Sequence, residues 1–288
     1  MKIRTPAKIN LRLRVVGKRA DGYHLLDTII LPVSLYDEII INKGRRVVEK
    51  TALKDRLTVT CDDPLVPQGR QNLVYKAASL VLADKGVIES VRIRIHKRIP
   101  VGAGLGGAST DAAATLVGLN RLFRLGYTLK GLQKISSILG ADVPFFIKGV
   151  PARARGIGER LTPLSGIPRL WLIILYPKFP VSTAWVYRNL SLKLTKAIVN
   201  TSINLSLGSP ANLGKLLVND LETVTMGRYP RIGLLKEELA REGAVGVLMS
   251  GSGSSVFGVF QSRRSAQGAF RRLRKKREVQ AFLVHVLS

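Results

Sequence analysis

The stretch VRIRIHKRIPVGAGLGGASTDAAATLVGLNRLF, residues 91–123, decides the architecture. Val91, Ile93 and Ile95 alternate with Arg92, Arg94 and His96, the two-residue period of a half-buried strand. That strand runs into PVGAGLGGAST at 100–110. Beyond the glycines, Asp111 opens an alanine-rich segment whose Leu116, Val117, Leu119 and Leu122 suit a helix packed closely on a sheet. The order is strand, glycine loop, helix. Gly102, Gly104, Gly106 and Gly107 lack side chains, so backbone N–H groups can converge on an anion at the helix start, and phosphate is the natural guest.

Gly102, Gly104 and Gly107 also satisfy the GxGxxG dinucleotide pattern, which expects an acidic residue about 20 positions on to hold a ribose. No Asp or Glu lies between Asp111 and Asp142, so nicotinamide binding is demoted. A Walker loop is absent too, because GK[ST] occurs nowhere in the chain. Ser109 or Thr110 would serve a phosphate oxygen or Mg²⁺, or simply cap the helix; the local pattern leaves both open. Asp111 reads as a partner of the helix dipole.

Outward from this core, a helix is expected over Leu73–Lys85 with Asn72 as its cap and Gly86 beyond its end. Leu129–Leu139 repeats the design between Thr128 and Gly140. The glycine- and arginine-rich GVPARARGIGER, from Gly149, resembles a crossing between domains more than an element interior. Leu170–Leu175 reads as a buried strand, and GVLM and SVFGVF flank SGSGS as strand, tight turn and strand. A basic helix and a closing strand near Ala281–Val286 complete an α+β domain, while Ser191–Leu213 carries no clear pattern. A chain of 288 residues fits two medium domains.

Apolar residues make up 46% and charged residues 23%, which suits a globular chain and argues against disorder. Forty-six lysines and arginines against 19 acids give a formal charge of +27, a field that attracts polyanions of any kind. Its densest part, Arg263–Arg277, interleaves Ala266, Ala269, Phe270 and Leu273 at helical spacing, so it reads as a solvated helix face on a packed stripe rather than a nucleic-acid site. Cys61 is the only cysteine, which rules out an intrachain disulfide and a thiolate zinc site; its place after Leu57 and Val59 suggests a buried strand thiol. The start lacks the pattern of a secretory leader, and the longest strongly apolar run, Leu170–Tyr176, is far short of the roughly 20 residues a membrane helix needs, so a cytoplasmic protein is expected.

A phosphoryl-transfer enzyme needs a group to orient or deprotonate the attacking hydroxyl, and cations to offset phosphate charge. Asp142 in GADVPFF precedes Pro144 by two residues, and local sequence favours an N-cap role for it. Lys8 in PAKIN would be unremarkable as an exposed lysine, His24 as a turn histidine, and the tyrosines as core.

Taken together, PAKINLRLRVVGKRADGYH at 6–24, PVGAGLGGAST at 100–110, GADVPFF at 140–146, GIGE at 156–159 and SGSGSSVFG at 250–258 resemble the 4-diphosphocytidyl-2-C-methyl-D-erythritol kinases of the GHMP kinase superfamily. The glycine loop and the SGSG turn belong to the whole superfamily; PAKIN, DGYH and GADVPFF together are more specific. The resemblance implies an α/β chain with the two-domain GHMP kinase fold. A ribosomal-protein-S5-like, ATP-binding domain would span 1–155 and a ferredoxin-like α+β domain 156–288, with the active site in the cleft between them.

It further implies ATP-dependent phosphorylation of the 2-hydroxyl of a cytidine-diphosphate-linked methylerythritol, in the non-mevalonate route to isoprenoid precursors. By that likeness Asp142 is the general base and Lys8 its electrostatic partner. The ATP phosphates lie along Pro100, Val101, Gly102, Ala103, Gly104, Leu105, Gly106, Gly107, Ala108, Ser109 and Thr110, with Mg²⁺ on Ser109 or Thr110. Asn10, Tyr23 and His24 face the cytidine diphosphate, Tyr187 stacks the base against Tyr23, and Tyr176 and Thr183 assist. Ser250, Gly251, Ser252 and Gly253 form the second glycine turn. The partners implied are ATP and the small-molecule substrate, without nucleic acid or membrane, in a monomer or weak homodimer. The family usually shows a glycine pair and a small neutral residue before GIGE, so GVPARAR, with Val150, Pro151, Arg153 and Arg155, is a departure that affects this connection and not the catalytic pair. The alternatives are another GHMP small-molecule kinase, which DGYH and GADVPFF oppose, and a basic nucleic-acid-binding protein on a kinase-like fold, which leaves the ordered motifs without a purpose.

Overall fold

The computed structural model describes residues 1–46, 52–191 and 216–287. Two long strands, β1 (Lys2–Lys18) and β2 (His24–Arg46), are joined by a turn in which Gly22 takes a φ of +88° and the Arg19 N–H donates to the Tyr23 carbonyl at 2.7 Å. They are followed by α1 (Leu53–Arg56), β3 (Leu57–Cys61), α2 (Leu73–Asp84), β4 (Glu89–His96), α3 (Gly107–Phe123), α4 (Leu129–Ser136) and α5 (Val143–Lys148). Then come β5 (Ala152–Gly156), β6 (Arg160–Pro163), β7 (Trp171–Tyr176), α6 (Thr183–Arg188), β8 (Val218–Asn219) and α7 (Glu222–Arg228). The chain closes with α8 (Arg231–Arg241), β9 (Gly246–Met249), β10 (Val256–Phe260), α9 (Arg263–Leu273) and β11 (Gln280–His285).

These elements cluster into two compact units that do not follow chain order. The first comprises Met1–Ala7, Leu35–Val101 and Gly106–Gly149; the second comprises Lys8–Ser34, Gly102–Leu105 and Val150–Ser288. Both β1 and β2 therefore contribute residues to each unit, as does the glycine loop.

In the first unit β3 runs parallel to β4, and β4 pairs antiparallel with the later part of β2, Ile39 opposite Ile95 and Ile41 opposite Ile93. All four of those isoleucines are buried, each worth about 1.5–3 kcal/mol of burial by the usual transfer scale. Helix α2 packs on α3, α3 on α5 and α5 on α4. The alanines of α3 and Gly118 allow a close approach: a Cβ at Gly118 would stand 2.6 Å from Ile3 Cδ1 and 2.7 Å from Ile41 Cδ1. Asn72 caps α2, its side-chain oxygen accepting the Val74 N–H at 2.8 Å, and the helix ends one residue before the expected Lys85. Thr128 caps α4 as read, yet that helix stops at Ser136 instead of Leu139. There the Ser136 and Ser137 hydroxyls donate back to the Gln133 and Lys134 carbonyls at 2.8 and 2.7 Å, taking up acceptors of the last turn. Cys61 also departs from expectation. It sits half-buried at the end of β3 and its sulfur accepts the Asp63 N–H at 3.5 Å, because the strand stops pairing there.

In the second unit the stretch expected to cross between domains is the interior of an element. β5 pairs with Leu26–Ile30 of β2 and with β6 as a hairpin. Ala152 and Ala154 are buried, while Arg153 between them grips Asp27 through two hydrogen bonds of 2.7 and 2.6 Å. Charge misled the reading, since alternating alanine and arginine is a two-residue period. Four antiparallel strands form a separate sheet in the order β11-β7-β10-β9, the 4-1-3-2 order of a ferredoxin-like β-α-β-β-α-β unit. Helix α8 lies on β9 and β10, and α9 on β7, β10 and β11, over a core that includes Ile173, Leu175, Leu235, Val256 and Phe260. The basic segment behaves as read: Ala266, Ala269 and Leu273 of α9 are buried, and Arg272 pairs with Glu242 at the surface. Ser262 and Ser265 close a reciprocal capping box at its start. Beyond Ser191, the unpatterned stretch to Leu213 lies outside the described residues. Among the described residues no helix is long and apolar enough to cross a membrane.

Candidate active site

The glycine loop ends differently from the sequence reading. Gly102, Gly104 and Gly106 have φ of +64°, +75° and +74°, the left-handed region that glycine enters without strain. Gly106 itself is the N-cap, and α3 begins at Gly107 with no side-chain cap. The helical bonding starts with the Thr110 N–H donating to the Gly106 carbonyl at 2.9 Å, so the N–H groups just before it are the first-turn donors that a helix leaves without intrahelical partners. With no side chain occupying that end, it suits an anion. Ser109 and Thr110 are thus inside the first turn and do not cap; Thr110 is buried and Ser109 only half-buried.

Asp111 lies past the first turn and does not serve the dipole. It is buried in the first unit, where Thr5 Oγ1 donates to its Oδ1 at 2.8 Å and Lys97 Nζ to its Oδ2 at 2.9 Å. Lys97 Nζ also pairs with Asp37, whose other oxygen accepts the Arg98 and Ile99 N–H groups at 2.6 and 2.8 Å. Burial pushes the Asp111 carboxyl up to about 7 against the opposing pull of Lys97. Burial acts to lower the Lys97 pKa, but the two carboxylates outweigh it and raise it. Sequence reasoning missed this cluster entirely.

In the second unit the loop apex, Gly102–Leu105, is held by four hydrogen bonds. The Val181 N–H donates to the Gly102 carbonyl at 2.9 Å, Ser255 N–H to Ala103 at 3.2 Å, Ser250 Oγ to Gly104 at 2.9 Å and Lys8 N–H to Leu105 at 2.9 Å. The second glycine turn, Ser250–Gly253, is thereby a buttress for the first. A Cβ at Gly104 would run into the Ser250 carbonyl oxygen. From the same turn, Ser252 Oγ lies 2.8 Å from the Thr183 hydroxyl at the start of α6.

Lys8 is buried, contrary to the exposed lysine that local sequence suggested, and its Nζ donates to Asn10 Oδ1 at 2.6 Å. Asn10 Nδ2 donates to Thr28 Oγ1 at 2.9 Å, and Thr28 donates to the Arg12 carbonyl at 2.6 Å. His24 is buried and stacks on Tyr187, ring centroids 5.2 Å and planes 30° apart. Burial, and then the charge of Lys18, lower its pKa, so the imidazole is neutral near pH 7. Tyr23 is 60% exposed beside it in sequence, open to a ligand, whereas Tyr176 is buried in β7. Asp142 belongs to the first unit, immediately before α5, with Pro144 in the first turn as expected. Its side chain makes no capping bond, which removes the N-cap role that local sequence favoured.

Residues 72–150 match the family model of the GHMP kinases N terminal domain, and 196–278 that of the GHMP kinases C terminal. The 4-diphosphocytidyl-2-C-methyl-D-erythritol kinase of Geobacter metallireducens is 46% identical over 269 residues, 93% of this chain and 92% of its own. That of Citrifermentans bemidjiense is 48% identical, over 96% of this chain and 95% of its own. The chain belongs to the 4-diphosphocytidyl-2-C-methyl-D-erythritol kinase family of GHMP kinases. A crystal structure of 4-(cytidine 5'-diphospho)-2C-methyl-D-erythritol kinase covers 100% of both chains with a TM-score of 0.82 and 34% identity. The mevalonate kinase of Methanococcus jannaschii, 15% identical with a TM-score of 0.73, shares the fold alone. For a GHMP kinase the absence of GK[ST] is no loss, since left-handed glycines and an open helix start stand where a Walker loop would be.

Proposed function

We propose that this chain transfers the γ-phosphoryl group of ATP to the 2-hydroxyl of 4-diphosphocytidyl-2-C-methyl-D-erythritol, giving the 2-phosphate and ADP in the non-mevalonate route to isoprenoid precursors. The observation that carries this reading is near-half identity to kinases of that name along almost the whole of both chains. The bond from the hydroxyl oxygen to the γ-phosphorus forms, the bond to the β,γ-bridging oxygen breaks, and ADP leaves with that electron pair. In this reading Asp142 accepts the hydroxyl proton, and Lys8, oriented by Asn10, offsets charge at the reacting oxygens. The open start of α3 holds ATP phosphates. Ser109, the less buried of the two candidate hydroxyls, would hold Mg²⁺, which offsets phosphate charge when bound. Asn10 and the neutral His24 read the cytidine diphosphate, with Tyr187 and Tyr23 flanking the base, and Thr183 and Tyr176 in support. The ATP-binding half is taken as 1–155 and the second half as 156–288, in a cytoplasmic monomer or weak homodimer.

Coupled detection of ADP with ATP, Mg²⁺ and the cytidine-diphosphate methylerythritol tests it: the expected result is substrate-dependent ADP, and its absence sinks the assignment. Asp142→Asn is expected to keep nucleotide affinity and lose ~10²–10⁴-fold in kcat, the usual span for a general base; near-normal turnover would remove Asp142 from that role.

A further inference from the structure

The buried cluster around Lys97 touches both stems of the glycine loop. On the strand side, Asp37 accepts the N–H groups of Arg98 and Ile99, the two residues that lead into Pro100. On the helix side, Asp111 projects from the second turn of α3 and is held by Thr5 of β1. Lys97 is the one cation that bridges the two carboxylates, its side chain 5% exposed. It also lies against the helix start: a Cβ at Gly107 would be 3.0 Å from Lys97 Nζ and 3.1 Å from Ile99 Cγ2. A lysine and two acids are expensive to bury unless their geometry is well satisfied, and here every carboxylate oxygen of the pair has a donor. The place such a network would hold in register is the gap between the end of β4 and the first free N–H groups of α3.

We propose that Lys97, acting through Asp37 and Asp111, is a positioning residue for ATP: it staples the strand-side stem of the glycine loop to the helix-side stem, so that the helix start meets the phosphates in a fixed geometry. The proposal rests on ATP binding at this loop, as read above. Lys97 spends its donors on protein carboxylates, and its effect on the nucleotide passes through the loop. A misplacement of the helix start on the scale of an ångström costs ~10- to 100-fold in nucleotide affinity and turnover.

The test is a neutral replacement of the whole network, Lys97→Met with Asp37→Asn and Asp111→Asn, which leaves no buried charge without a partner. Isothermal titration with ATP alone, then steady-state kinetics with both substrates, compares it with the wild type. The expected result is ATP affinity weakened ~10-fold or more while KM for the cytidine substrate stays within about twofold. Unchanged ATP affinity and kcat in a folded variant would overturn the proposal and leave the network a structural element only; so would equal rises in both KM values. If the triple variant does not fold, Asp111→Asn alone, which keeps the Lys97–Asp37 pair, is expected to shift ATP affinity in the same direction by less, and no shift overturns the proposal. The titration needs no phosphoryl acceptor, so a wild type that binds ATP without substrate-dependent turnover would refute the assigned reaction and still test the staple. A wild type that binds no ATP refutes both.

Discussion

The Lys8 ammonium donates to the Asn10 side-chain oxygen at 2.6 Å, and this bond decides which end of the Asn10 amide meets Thr28. An amide is needed there because one end must accept from a cation while the other donates to a hydroxyl. Asn10→Leu strands both partners in a buried place, which costs on the order of 1–3 kcal/mol per unsatisfied group. The variant is expected to unfold at lower denaturant and to lose turnover; full activity in a variant of native stability would show that the orientation of Lys8 does not matter.

Gly104 faces the Ser250 carbonyl and sits at a φ of +75°. Alanine there meets backbone, which cannot swing aside as a side-chain tip can, and takes a backbone conformation that alanine disfavours. Gly104→Ala is expected to weaken ATP binding severely and lower the melting temperature. Gly22→Ala, at a turn where a Cβ meets nothing within 4 Å, serves as the control for φ strain alone. Comparable losses in both would refute the packing argument.

His24 and Tyr187 present a stacked pair in the second unit. If the cytosine base packs on Tyr187, Tyr187→Ala should raise KM for the cytidine substrate by ~5- to 150-fold, the range of about 1–3 kcal/mol for base–aromatic stacking, with KM for ATP unchanged. Because burial lowers the His24 pKa, KM for the cytidine substrate is also expected to stay flat from pH 8 down to about 6.5, the ordinary histidine value, and to rise only below it. A rise centred above that value would contradict the buried, neutral imidazole.

Asp111 carries the opposite kind of shift. In the folded chain burial holds its carboxyl protonated up to about 7, from an ordinary value of 3.8. Between those values the native state binds the extra proton. The stability this group contributes is therefore full below 3.8 and lost as pH rises through about 7. Asp111→Asn removes the titration. Denaturant unfolding at pH 5, 6, 7 and 8 should show wild-type stability falling relative to the variant as pH rises, and parallel curves would count against the buried proton.

Much of this molecule is visible in local pattern. Strand β4, the helices capped by Asn72 and Thr128, and the strands around the second glycine turn follow from periodicity and caps, which act within a few residues. The helix start at Gly107 was misplaced because a left-handed glycine begins α3 without any capping side chain to mark it. Lys8 and the Lys97 cluster were illegible for a different reason. Their meaning depends on partners brought by the fold, Asp37 being 60 residues from Lys97 and Thr5 being 106 from Asp111. Arg153 is likewise defined by Asp27, 126 residues away, without which its segment reads as linker. The motifs at Lys8, His24 and Asp142 had force through their combination, since each taken singly fits a bland role.

The bond from Ser250 to Gly104 joins residues 146 apart. During synthesis the apex of the loop therefore emerges long before the turn that buttresses it, and Ser255, which holds Ala103, arrives later still. A nascent or truncated chain ending ahead of β9 has the glycines but lacks half of the hydrogen bonds that hold their apex. The nucleotide loop is thus written early and finished late, and its completion reports that nearly the whole polypeptide has folded.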